Sequence, residues 1–106
     1  MNKTKTYKLT DKNGEQFFSF EKGLLGGNSN MKIYGRMDCR SANACLRGRY
    51  REAYIRHRVF FQDEETAIAA GYRPCGVCMK EHYALWKEGK IIPGNVEETK
   101  NRVDFL

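Results

Sequence analysis

The sequence predicts a small α+β domain, a short antiparallel sheet accompanied by two or three helices. Three observations lead there. Two segments carry helix signals: "DEETAIAAG" has an N-cap aspartate, first-turn acids and a closing glycine, and "MKEHYALWKEG" has one apolar face and a closing glycine. The segments around them alternate or are rich in aromatic and β-branched residues, and an Asn-Gly pair joins two of them. With 106 residues, 41% hydrophobic and 30% charged, the chain has the length of one small domain with a thin core.

Taken in order, "TYKLTDKNGEQFFSF" reads as a hairpin turning at Asn13-Gly14. The glycines and asparagines of "EKGLLGGNSN" mark a loop. "MKIYG" is a short strand leading to Cys39, and "SANACLRG" a short helix with Ser41 as N-cap and Gly48 as its stop. "YIRHRVFF" reads as a strand. Asp63 caps the next helix, which Gly71 closes. Pro74 holds the approach to Cys75 extended. The last helix ends at Gly89, with Met79, Tyr83 and Trp86 on one face. Beyond Pro93 the chain is polar up to Val103, Phe105 and Leu106 and is expected to be partly loose. The expected organisation is a hairpin and loop over 1–32, a core over 33–90 and an extension over 91–106.

No stretch approaches the ~20 apolar residues of a membrane span, and no apolar segment follows the N-terminal lysines. A reducing cytoplasm is the expected compartment, where four cysteines point to metal or thiol chemistry rather than a disulfide framework. A domain this small often needs such a staple.

Cys75-Gly76-Val77-Cys78 is a tight turn that aims two thiolates at one ion. A structural zinc takes four Cys or His ligands. A redox Cys-x-x-Cys would sit in a thioredoxin-like βαβ setting, which does not precede it here. Cys39, directly before a helix start, is a third ligand. Cys45 lies six residues further on, about 9 Å along the helix axis, and reads as a small buried helix residue. On the expected strand, period two places Ile55, His57, Val59 and Phe61 on one face and Arg56 and Arg58 on the other. His57 is therefore the favoured fourth ligand, with Cys45, water or another group as alternatives. His82, one turn inside the last helix, reads as an exposed helix residue.

The formal charge is +6, and seven of the nine arginines fall between residues 36 and 58, opposed there only by Asp38 and Glu52. An Arg-rich block suits bidentate contact with phosphates.

The run "IYGRMDC", together with "AIAAGYRPCGVC", resembles the zinc-binding DNA-repair domain of the bacterial adaptive-response protein Ada, over roughly residues 33 to 86. The resemblance implies a small α+β fold around one zinc, with DNA held through its backbone. It places Cys39, Cys75 and Cys78 on zinc-ligand positions, and Arg36 and Arg73 on motif arginines near the DNA-facing surface. At the position of Gly35 that family carries a cysteine that binds zinc and accepts a methyl group. Glycine has no nucleophile, so the expected function is non-enzymatic. Arg36, Arg40, Arg56, Arg58 and Arg73 are the expected DNA contacts. A zinc-stapled protein-interaction module is the alternative, and a thiolate that accepts or senses alkylation is a further one.

Overall fold

The computed structural model of the chain describes residues 5–49 and 51–106, apart from the side chains of Ser41, Ala42 and Cys45. Strands β1 (Tyr7–Thr10) and β2 (Gln16–Ser19) form the expected antiparallel hairpin. Its turn is built on Asp11, whose Oδ1 accepts from the amides of Asn13 and Glu15 at 2.9 Å, while Gly14 takes φ 83°.

The segment expected to be a loop holds the strand at the centre of the main sheet. Strand β3 (Leu25–Asn28) pairs with both β4 (Ile33–Arg36) and β5 (Arg58–Phe61), antiparallel to each. The sheet runs β5-β3-β4-β6, and the two-residue edge strand β6 (Arg73–Pro74) lies parallel to β4. The sheet is thus mixed rather than purely antiparallel. Proline is tolerated in β6 because it is an edge strand.

A second correction concerns "YIRHRVFF". Residues Arg51–His57 form helix α2, and only Arg58–Phe61 form β5. The ladder explains the boundary: β3 ends at Asn28, whose partner is Arg58, and beyond it only the amide of Ser29 reaches the His57 carbonyl, at 2.8 Å. With no further ladder to join, the backbone groups of 51–57 bond along their own helix, with Glu52 in its first turn and Arg56 and His57 in its last.

Helix α1 (Arg40–Arg47) starts directly after Cys39. Ser41 therefore lies inside it, and the capping expected of its side chain falls outside the described residues. Helix α3 (Glu64–Ala69) keeps its expected cap, Asp63 accepting from the Thr66 amide at 2.9 Å, and Gly71 follows it at φ 94°. Helix α4 (Lys80–Lys87) precedes Gly89 at φ 79°. The segment expected to be loose contains helix α5 (Val96–Arg102), capped by Asn95, with Thr99 fully buried. There are thus more helices than expected, and Val103, Phe105 and Leu106 pack against the core.

The two faces of the main sheet differ. Directly opposed residues share a face, so the rung Val59–Gly27–Tyr34–Pro74 points one way. Val59, Tyr34 and Pro74 are buried there, in a core that includes Phe61, Ile68, Tyr72 and Ile91. The rungs Arg58–Asn28–Ile33–Arg73 and Phe60–Gly26–Gly35 point the other way. Among the described residues no helix is long and apolar enough to cross a membrane.

Candidate metal centre

The second face carries the cysteines. The parallel pairing of β6 with β4 brings chain segments some forty residues apart side by side, and the Cys75 amide extends that pairing by donating to the Tyr34 carbonyl at 2.8 Å. Cys75 thereby leaves the sheet beside Gly35. The following turn presents Cys78, and the chain after β4 folds back so that Cys39 begins α1, the Asn43 amide donating to its carbonyl at 3.0 Å.

The donor atoms of Cys39, Cys75 and Cys78 lie within 4.8 Å of one another. The Cys39 and Cys75 sulfurs are 3.8 Å apart. Two thiolates on a tetrahedral zinc, each at ~2.3 Å, stand about 3.8 Å apart. Cys39 is buried, and Cys75 and Cys78 are half-buried. Backbone amides also face the cluster: Arg36 N–H points at the Cys78 sulfur at 3.2 Å and Val77 N–H at the Cys75 sulfur at 3.4 Å. Burial pushes the Cys75 thiol up, but the amides of Cys78 and Val77 and the thiols of Cys39 and Cys78 outweigh it and hold Cys75 below its usual value. Burial pushes Cys78 up to about 12, with the neighbouring Cys39 and Cys75 adding to the rise and the Arg36 amide opposing it. The donor set, its spacing and its amide shell fit a thiolate-bound metal.

Gly35 is buried against this cluster. A Cβ there would stand 2.8 Å from the Cys78 sulfur and 3.1 Å from the Cys75 Cβ. Any side chain at position 35 would enter the cluster directly.

His57 does not join the group of donors formed by Cys39, Cys75 and Cys78 among the described residues. It is the last residue of α2, not part of β5, so the strand alternation that aligned it with Val59 and Phe61 does not operate. Cys45 lies on α1, its side chain outside the described residues. Of the arginines, Arg40 and Arg56 are exposed on α1 and α2. Arg36 is exposed but bound to Asp38, with Nη2 2.8 Å from Oδ2. Arg58 and Arg73 are only half-exposed, with Arg58 over the Phe60 ring and Arg73 over those of Tyr83 and Trp86.

One polar network escaped the sequence reading. Tyr34 Oη donates to Glu64 Oε2 at 2.6 Å, and His82 Nδ1 lies 2.6 Å from the same oxygen. The His82 ring stacks on Phe105, centroids 4.1 Å apart, so His82 is half-buried rather than exposed. Burial, reinforced by the Glu64 carboxylate, raises the Tyr34 hydroxyl far above its usual value and keeps it a donor. The partners stand 30 and 18 residues apart, so no local pattern announces them.

The model of one protein family, the metal binding domain of Ada, matches residues 18–81, more than half of the chain. The chain belongs to this family. Neither the curated proteins nor the solved structures give a match. Membership in the Ada metal-binding family accounts for the three-cysteine cluster, and the match begins within β2, so it takes in β3 as well as the cysteine-bearing segments.

Proposed function

We propose that this protein is a non-catalytic, zinc-stabilised module that binds DNA through its backbone phosphates. Zinc is the metal best suited to a sulfur-rich tetrahedral set, and Gly35 offers no nucleophile beside it. The observation that carries the reading is the pair of short helices leading away from the cysteine cluster. Arg40 and Arg47 on α1 and Arg51 and Arg56 on α2 are all exposed, and Glu52 is the one acidic residue in these two helices. Arginines arrayed in this way position a protein on phosphates without reading base sequence. Anisotropy titrations of a labelled duplex at several salt concentrations test the reading. Each phosphate contact contributes about −0.9 to the slope of log K against log salt, so four arginines predict a slope near −3 to −4, reduced by about one for each Arg→Ala change. Duplex binding indifferent to salt would sink the reading.

A second reading is favoured by the hairpin. Phe18, Phe20 and Leu24 are 70%, 72% and 70% exposed, apolar area of the kind that protein partners cover. A complex that survives nuclease treatment and is lost on Phe18→Ser would favour it.

A further inference from the structure

Beside the cysteine cluster, the face of the main sheet turned away from the core forms the floor of a cavity of about 490 Å³. This volume falls within the range of small-molecule sites. The floor is open at Gly26 of β3, whereas Gly35 of β4 is covered by the cysteines. A Cβ on Gly26 would meet nothing nearer than the Met37 sulfur and the Val59 carbonyl, both at 3.8 Å. The walls are flat or flexible apolar groups: Met31, Met37, Leu46, Tyr54, Phe60 and Tyr83.

The lining includes Cys39 and Cys75, whose thiolate charge a bound metal would largely offset. Arg36, Arg58 and Arg73 face the cavity, and no Asp or Glu lines it among the described residues. Asp38 neutralises Arg36. Among the described residues neither Arg58 nor Arg73 makes an ion pair. Arg73 is committed to the fold: its Nη1 donates to the Pro74 carbonyl at 2.9 Å, and its guanidinium lies 4.9 Å from the Trp86 ring centre. Among the described residues Arg58 makes only a ring contact, 5.2 Å from the Phe60 centre. Its five donors therefore stand at the edge of an apolar chamber with aromatic surface beside them. A guanidinium in such a place pairs bidentately with a carboxylate, and the low dielectric strengthens the pair.

We infer that this cavity is a binding site for a small organic anion with a flat apolar body, an aromatic carboxylate in the simplest case. The apolar body lies over Gly26, between the methionines and rings, and the carboxylate meets Arg58. The site stands independently of the nucleic-acid reading, because Arg58 and the glycine floor, not the exposed arginines of α1 and α2, define it.

Calorimetric titration of the metal-loaded protein with 2-naphthoate, and with its neutral amide 2-naphthamide as a shape control, tests the inference. One naphthoate binds per chain, and the amide binds at least about tenfold more weakly. Arg58→Gln removes most of the difference between them. Gly26→Leu fills the floor and abolishes binding of both. Should Gly26→Leu fail to fold, Arg58→Gln decides the matter alone. Equal affinity for acid and amide, a naphthoate affinity unchanged by Arg58→Gln, or no binding at millimolar naphthoate would each overturn the assignment.

Discussion

Thr10 shows what a single atom contributes. Its Oγ1 is buried and finds no hydrogen-bond partner among the described residues, and a hydroxyl left without a partner in an apolar setting destabilises the fold. Thr10→Val keeps the β-branched shape that suits β1 and removes the orphaned group. It should raise stability by ~1 kcal/mol, seen as a higher urea midpoint with an unchanged slope. The cluster side of Tyr34 and its core side are likewise separated within one residue: its carbonyl accepts from Cys75, while its hydroxyl reaches Glu64. At this scale the three cysteines were legible in the sequence, because Cys-x-x-Cys and a helix-start cysteine announce themselves by spacing. The strand placement of His57 was misread for a local reason. Its neighbours are good strand formers, and the end of the β3 ladder that stops the strand lies elsewhere in the chain.

At the scale of elements, β3 is the clearest case of tertiary structure overriding local preference. Its two glycines look like loop punctuation, yet they serve opposite faces. A Cβ on Gly27 would stand 2.8 Å from the Ile33 carbonyl and 3.1 Å from the Phe61 ring, whereas one on Gly26 makes only ordinary contacts, none nearer than 3.8 Å. Gly27→Ala is therefore expected to cost about 1–3 kcal/mol by overpacking against backbone, and Gly26→Ala to be tolerated. Thermal melts of the two variants check this, and equal melting temperatures would argue against the assigned strand faces. Helix α3 was legible because its Asp63 cap and the following Gly71 are local devices. Helix α5 was not, since a polar run leaning on one buried Thr99 gives little periodic signal.

For the whole molecule, metal and fold are expected to be linked. A chain of 106 residues has a thin core, and the cysteines tie the β4 end, the β6 edge and the start of α4 together. Binding a metal requires thiolates, and the Cys78 thiol, pushed up to about 12, is protonated near neutral pH. Its proton must leave when zinc arrives, so zinc affinity rises with pH, on the order of tenfold or more per unit below that value. Competition against a chromogenic chelator at pH 6.5 and 7.5 measures it, and a flat response would mean that this thiol is not a ligand. The most direct test of the central claim, one metal held by Cys39, Cys75 and Cys78, is zinc-edge X-ray absorption on the purified protein. The account predicts three sulfur neighbours at ~2.3 Å and one lighter atom at ~2.0 Å. Two sulfurs or fewer would show that the cysteines do not share an ion, and four would bring Cys45 into the shell and contradict the three-cysteine site.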